Sequence, residues 1–326
     1  MKYTGREYNI QHLQNLRKYL GNTRMLYYQN IDKLVKLYEL APKNVPFDIN
    51  AYPDIKQGIN RELQLLAKQL HSSIVQGVNN EWVLSNNKND AMVNTLIGGQ
   101  GLPPVLEEKW MGRNLEALKA FKTRTEKGLG ISDRVWQTVK VHATTIEQHM
   151  ALGIYEGTPA AKLASEMKLY LNEPDKLFRR VRDAAGNLKL SKPAQAFHPG
   201  RGVYRSSYKN ALRLTRTETN RAYLKADSER WQKQDFVVGV EIRRSGVGYD
   251  CDICESLQGD YPKDFEFALW HPNCMCQAVP KLASEEDLMK SIEAALDGKE
   301  YEFNPETRMP ENFLTFVKGS GFDYEH

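Results

Sequence analysis

Four cysteines constrain this 326-residue chain more than any other feature, because all of them lie in one window from Cys251 to Cys276. A secreted disulfide framework spreads its cysteines so that the bridges join distant loops. Four thiols in one short window are more typical of metal ligands. The cysteines therefore predict one metal site in the last third of the chain.

The spacing of the cysteines narrows the kind of site. Cys251 and Cys254 form a Cys-x-x-Cys pair, whose two sulfurs can reach one tetrahedral ion. His271 and Cys274 repeat that gap, and Cys276 is a fifth candidate. Zinc takes four ligands, so two ligand sets stay open: the four cysteines, or three cysteines with His271. We favour the four cysteines, because Cys274 and Cys276 can face one side of an extended segment. The nearby glutamates match no zinc-hydrolase pattern, so we predict a structural Zn²⁺.

Apolar residues at helical spacing dominate the first 200 residues and predict a mostly α protein. One example is the series Ile59, Leu63, Leu66, Leu70 and Ile74. Gly21 is a predicted helix end, and the clearest break is the Gly- and Pro-rich stretch 98–104. A long helix is predicted over 203–233, after a loop at 186–202.

The pattern changes at Phe236, where a run rich in β-branched residues predicts a strand. Residues 277–279 predict a second strand, and Ser284 is a predicted N-cap for a last helix. The predicted organisation is an elongated helical N-terminal region (1–185), a module with the long basic helix and a small zinc-bound α+β part (186–282), and a C-terminal helix with an extended tail (283–326). No apolar run approaches the roughly 18 residues of a membrane helix, and no secretory signal is apparent, so we expect a cytoplasmic chain with no membrane partner.

Positive charge is concentrated in the middle of the chain. Residues 176–225 hold thirteen Lys or Arg against Asp183 and Glu218, although the whole chain has a net charge of only +4. Such a basic belt predicts a polyanion or an acidic protein surface as partner, and a merely solvated face is the alternative. Four cations share one side of the long helix, and three more lie upstream: Arg205, Lys209, Arg213 and Arg216, with Arg179, Arg180 and Arg182.

The long helix also carries a polar sequence, Leu-Thr-Arg-Thr-Glu-Thr-Asn-Arg at 214–221. Its charged and amide side chains predict a polar network formed by Arg216, Glu218, Asn220 and Arg221. The alternative is ordinary pairing of Glu218 with Arg221 at i,i+3 on a solvated helix face.

Several of these segments together resemble a known family. The sequence Arg-Leu-Thr-Arg-Thr-Glu-Thr-Asn-Arg-Ala-Tyr at 213–223 is followed by Cys-Asp-Ile-Cys at 251–254, Tyr-Pro at 261–262 and Trp-His-Pro-Asn-Cys-Met-Cys at 270–276. Their order and spacing resemble the Mu F-like phage head morphogenesis domain. The upstream segments 153–164, 177–182 and 199–204 are similar to the branch found in phages and prophages of gut Bacteroidetes. The resemblance covers roughly 130–282, and Met275 departs from it, since the family usually has Arg there.

The resemblance implies a minor head protein of a tailed phage. Such a virion protein lies inside the capsid near the portal, is assembled in the bacterial host cytoplasm, and acts in head morphogenesis, DNA packaging or ejection. The implied partners are the portal protein and phage DNA bound without sequence preference, with scaffolding or major capsid protein as further candidates. It implies no enzymatic activity.

Two other classes of function stay open at this point. One is an enzyme, either a metal-dependent nuclease or a toxin resembling ADP-ribosyltransferases, which would need an open metal position and a placed base. The other is a DNA-binding zinc protein of the host. A regulator of that kind is expected to read bases through a short exposed helix, whereas the basic stripe here lies on a long helix with a large apolar face.

Overall fold

A computed structural model describes the chain over residues 5–44, 48–99, 101–173, 179–182, 184–186, 188–190, 204, 206–247 and 250–320. The helices in these ranges are α1 (Arg6–Tyr38), α2 (Pro53–Leu96), α3 (Pro104–Met111), α4 (Leu115–Thr123), α5 (Ile131–Glu156), α6 (Ala160–Asn172), α7 (Ser207–Lys233), α8 (Asp252–Ser256), α9 (Glu285–Leu296) and α10 (Glu311–Ser320). The strands are β1 (Arg179–Arg182), β2 (Leu188–Leu190), β3 (Val237–Arg243), β4 (Gly259–Tyr261) and β5 (Gln277–Leu282). The prediction of a mostly α protein with a small α+β part is confirmed.

The chain forms two compact units, each assembled from separated segments. The first unit comprises Met1–Leu16, Gly77–Lys122 and Thr217–His326, and the second comprises Arg17–Gln76 and Thr123–Arg216. These units cut across the three consecutive segments predicted from the sequence. The reason is that α1, α2 and α7 are long helices whose two ends belong to different units. Composition along the chain does not indicate such a division.

The second unit has a helical core. Residues at helical spacing along α2 are buried as predicted, with Ile59, Leu66, Leu70 and Ile74 each about 1% exposed. They join buried apolar residues of α1, α5 and α6 in one hydrophobic cluster. Strands β1 and β2 pair antiparallel, and β2 lies within the stretch where a loop was predicted. Residues 187 and 191–202 of that predicted loop lie outside the described residues.

The first unit combines helices with a three-stranded antiparallel sheet in the order β4-β3-β5. Strand β3 follows the predicted β-rich run, and Val240 pairs with Tyr261 on one side and with Pro280 on the other. Four aromatic rings pack beside the sheet, with centroids 4.4–6.1 Å apart: Tyr261, Phe265, Trp270 and Phe313.

The structure corrects the prediction that the C-terminal segment is an extended tail. Residues 311–320 form helix α10, and Phe313 is only 1% exposed. Phe303 and Phe316 pack against the same core. The aromatic residues of the tail are therefore largely used inside the first unit, because a small sheet needs apolar partners to cover its face.

Helix ends agree with the sequence where the signal is local. Helix α2 ends at Leu96 and α3 begins at Pro104, which confirms the break predicted at 98–104. Ser284 accepts a hydrogen bond from the Asp287 backbone amide and caps α9 as predicted. The helix end predicted at Gly21 was wrong, because α1 continues through it. A single glycine in a helix costs only about 1 kcal/mol, which the packing of a 33-residue helix outweighs.

In the described residues, no helix combines the length and the apolar character needed to span a bilayer.

Candidate metal centre

Short local structures bring the cysteines and His271 together. Cys251 is the N-cap residue of α8, and Cys254 lies in that short helix. His271 and Cys274 close a turn in which the Cys274 amide donates to the His271 carbonyl at 3.0 Å. Asn273 has a φ of 67° in this turn, a left-handed conformation that Asn tolerates better than most residues. The chain then leads through Cys276 directly into β5, so the second cluster is anchored to the sheet.

The five candidate ligand atoms form two overlapping groups. One group is Cys251, Cys254 and His271, and the other is Cys254, Cys274 and Cys276; within each group all ligand atoms lie within 4.8 Å of one another. The Sγ atoms of Cys254 and Cys274 are 3.8 Å apart. Cys254 belongs to both groups and therefore connects them. All five residues predicted from the sequence are thus brought together, and they form a group that could hold a metal ion.

The ring of His271 is oriented as a metal ligand would be. Its Nδ1 atom lies 2.9 Å from the backbone carbonyl oxygen of Pro272, an acceptor, so Nδ1 carries the proton. The neutral ring then has its lone pair on Nε2, which lies 3.2 Å from the Cys251 sulfur and 3.1 Å from the Cys254 sulfur. A backbone carbonyl that fixes the tautomer in this way is typical of metal-binding histidines.

The buried thiols influence one another. Burial raises the pKa of the Cys254 thiol to about 12. Hydrogen bonding to the Cys276 side chain lowers the pKa of Cys274 to about 6, and the same contact raises the pKa of Cys276. Hydrogen bonding between these thiols thus favours ionisation of Cys274 over ionisation of Cys254 or Cys276. A divalent ion would stabilise further thiolates here, because a coordinated thiol loses its proton.

A cleft beside the cluster is lined by Arg244, Ser245 and Val247 as well as by the ligand residues. The Arg244 guanidinium donates to Glu255 at 2.7 Å and to Asp250 at 2.9 Å. These hydrogen bonds raise the pKa of Arg244 and tie the segment before Cys251 to α8. The cation therefore lies beside the thiols but already has two carboxylate partners.

The polar sequence of α7 holds the loop that carries His271 and Cys274. The Asn220 side-chain amide donates to the Cys274 carbonyl at 3.0 Å, and Arg221 Nε donates to the Ala268 carbonyl at 3.2 Å. The Asn273 amide lies 3.5 Å from Thr217 Oγ1. Three points on one helix thus contact the loop at and around the ligands. In the sequence the polar segment of α7 and the cysteine cluster were separate features, and in the folded chain they are in contact.

The four residues predicted as a polar network do not lie on a common solvated face. Glu218 is 0% exposed and Asn220 is 3% exposed, whereas Arg216 and Arg221 are half-buried. Asn220 and Arg221 both act on the cysteine-bearing loop, as described above. The alternative, in which Glu218 pairs with Arg221 on a solvated surface, conflicts with the complete burial of Glu218.

The predicted basic belt is only partly described. Lys209, Arg213 and Arg216 are half-buried on α7, and Arg205 lies outside the described residues. The Arg213 guanidinium lies 5.7 Å from the centroid of the Tyr204 ring, and burial lowers the pKa of Arg213. Arg179, Arg180 and Arg182 are in β1, with their side chains outside the described part of the structure.

Sequence reasoning missed a set of buried polar residues in the first unit. On α1 and α2 they include His12, Glu81, Ser85, Lys88 and Asn89, and on α7 they include Asp227 and Arg230. Those of α2 recur at helical spacing (81, 85, 88 and 89), which is the signal that could have found them. Arg230 is 1% exposed, and its guanidinium donates to the Trp110 carbonyl at 2.6 Å and to the Met111 carbonyl at 3.3 Å at the end of α3. Through these residues the helices of the first unit contact one another by hydrogen bonds as well as by apolar packing.

The arrangement thus combines a cluster of sulfur and imidazole donors with a helix that holds its loop. Its donor atoms suit a borderline or soft metal ion better than Mg²⁺ or Ca²⁺, which prefer oxygen. Comparisons of the chain with protein-family models, with curated proteins and with solved structures found no match.

Proposed function

We propose that this chain is a structural minor head protein of a tailed phage, associated with the portal inside the capsid and acting in head morphogenesis, DNA packaging or ejection. One observation carries the proposal: the sequence segments that resemble the Mu F-like domain pack together as one site. Asn220 of the 213–223 segment donates to the Cys274 carbonyl of the 270–276 segment, 54 residues away. A resemblance made of unrelated short motifs would give no reason for these segments to meet.

We propose Zn²⁺ as the ion, held by Cys251, Cys254, His271 and Cys274. Two sulfurs bound at about 2.3 Å to one tetrahedral ion lie about 3.8 Å apart, and the Cys254 and Cys274 sulfurs are 3.8 Å apart. The lone pair of His271 Nε2 faces the sulfurs of Cys251 and Cys254, at 3.2 Å and 3.1 Å, which favours His271 over the all-cysteine set. Cys276 then serves as a neighbour that donates a hydrogen bond to Cys274.

A structural role for this ion fits the ligand count. A catalytic zinc keeps an open position for water or substrate, and here five donors compete for four positions. The ion would join the short helix α8 to the 271–274 turn, in a part of the chain with little regular structure. Metal binding then contributes directly to the folding of this module.

Association with the portal is tested by co-expression with the portal protein encoded in the same genome. We expect the two proteins to co-purify, and to stay together at about 1 M salt, where the Debye length is about 3 Å and exposed charges are screened. Retention at that salt would show a contact with a substantial apolar part. If a folded, metal-loaded chain never co-purifies with the portal, and virions of the phage lack it, the proposed function is wrong.

We also expect weak DNA binding without sequence preference through α7. Replacing Lys209 and Arg213 by Gln should reduce the slope of log K against log salt by about 1.8, since each phosphate contact contributes about 0.9. Lys225→Gln is the matched control, because Lys225 lies on the same helix but is paired with Glu229 at 2.9 Å and with Glu266 at 2.5 Å. Fluorescence anisotropy with duplexes of unrelated sequence gives the measurement. Equal slopes for the double variant and the parent would exclude these cations from DNA contact.

A further inference from the structure

Buried His12 of α1 makes contacts that the metal centre described so far does not use. The residue is only 4% exposed, and its ring stacks on Tyr223 with centroids 4.1 Å apart and an interplanar angle of 10°. Its two ring nitrogens face Glu81 and Asn220, at 2.5 Å and 2.9 Å. His12 and Asn220 are 208 residues apart in sequence.

The hydrogen-bonding partners fix where the protons lie. The Cys274 carbonyl can only accept, so the Asn220 amide nitrogen must face it, at 3.0 Å. The Asn220 oxygen then faces His12 Nε2, which must carry a proton and donate it. With Asn220 in the opposite orientation, its oxygen would meet the Cys274 carbonyl oxygen, and two acceptors would be in contact without a proton between them.

The other side of the ring is fixed by a carboxylate. His12 Nδ1 faces Glu81 Oε2, while the second carboxylate oxygen of Glu81 accepts from the Asn15 amide at 2.9 Å. Glu81 is 0% exposed, and a buried carboxyl group needs hydrogen-bond partners. Its contact with Nδ1 holds the His12 ring in place while Nε2 donates to Asn220.

We infer that His12 is a positioning residue for the metal centre: through its Nε2 proton it orients Asn220, which holds the carbonyl of the ligand Cys274. The relay runs from Glu81 through His12 and Asn220 to Cys274, and all four residues belong to the first unit. The first turns of α1 therefore complete a site whose ligands lie more than 230 residues later in the chain. This inference rests on the proposed metal binding.

The relay makes a specific prediction for the rate at which the full-length protein releases zinc to a chelating dye. Partners behind the ligands of a metal site typically change metal affinity by about 10- to 100-fold. His12→Ala and Asn220→Asp should each speed release about tenfold or more. In the first variant Asn220 loses the contact that orients it, and in the second the Cys274 carbonyl meets a carboxylate. Ser85→Ala is the matched control. It removes a buried hydrogen bond to Asp227, at 2.7 Å, on the same helix as Glu81, and Ser85 is not itself a member of the relay.

A conservative variant separates positioning from simple loss of core packing. In Glu81→Gln the new side-chain amide can still form a hydrogen bond with His12 Nδ1, either as acceptor through its oxygen or as donor through its nitrogen. In both orientations the His12 ring can keep its Nε2 proton, so Asn220 stays in place. We expect release close to the parent rate. Nitrogen-15 NMR of the His12 ring should show a protonated Nε2 in both proteins, because Asn220 accepts from that nitrogen in each.

Two results would overturn the inference. One is zinc release from His12→Ala and Asn220→Asp that is no faster than from Ser85→Ala. The other is a His12 ring in the parent with an unprotonated Nε2. Amide hydrogen exchange at residues 271–276 reports on the relay even if the parent holds no metal: His12→Ala should speed exchange there, and Ser85→Ala should not. A parent without stoichiometric metal that still shows this difference would contradict the proposed zinc, but not the relay.

Discussion

Purified, reduced protein should contain about one zinc per chain, and Cys254→Ser should lose it. Cys254 belongs to both groups of ligand atoms, so its removal breaks each of them. Because the proposed ion would join segments with little structure of their own, its loss should also loosen residues 236–282. Elemental analysis and amide hydrogen exchange of parent and variant provide the two measurements. Reduced protein that holds no stoichiometric metal would contradict the prediction.

The choice of ligands is decided by a pair of further variants. With His271 as the fourth ligand, His271→Ala should release zinc readily, while Cys276→Ser should retain it. The physical reason is the His271 tautomer, with Nδ1 bound to the Pro272 carbonyl and the Nε2 lone pair directed at two sulfurs. Cobalt substitution gives an independent measurement, since the absorption of the thiolate–metal bonds depends on how many sulfurs bind. The reverse pattern would establish the all-cysteine set.

A second large effect is expected at the buried ion pair of Lys88 and Asp227. Both side chains are at most 6% exposed, and the Asp227 carboxylate also accepts from Ser85 at 2.7 Å and from Asn89 at 2.9 Å. Asp227→Asn removes the negative charge that faces the Lys88 ammonium in a low-dielectric interior. We expect the free energy of unfolding to fall by about 3–5 kcal/mol, as for other buried pairs that lose one member. Urea unfolding followed by circular dichroism measures the change.

The matched control for this pair is the double variant Lys88→Met with Asp227→Asn. It removes both charges, while the side-chain amide oxygen introduced at position 227 can still accept from Ser85 and Asn89. Because the loss in the single variant comes from an uncompensated charge, the double variant should recover most of the stability. A double variant as unstable as the single one would mean that shape at position 227, and not charge, determines the cost.

The sequence was informative wherever the signal is local. The Cys-x-x-Cys pair and the second cluster at 271–276 are short, so the residues within each must stay close whatever the fold, and all five are found together. The break at 98–104 was also correct, since glycine and proline act on the backbone at their own position. Mostly helical content followed from apolar spacing, which reflects the one-sided burial of each helix.

Tertiary structure decided which polar residues lie inside and what they contact. Glu218 and Asn220 were compatible with a solvated face from spacing alone, but packing of α7 within the first unit buries both. One partner of Asn220 is His12, and no local rule connects residues 208 positions apart. Only the folded chain shows this contact, because a buried polar group is stabilised by whichever partner the packing brings within hydrogen-bonding distance.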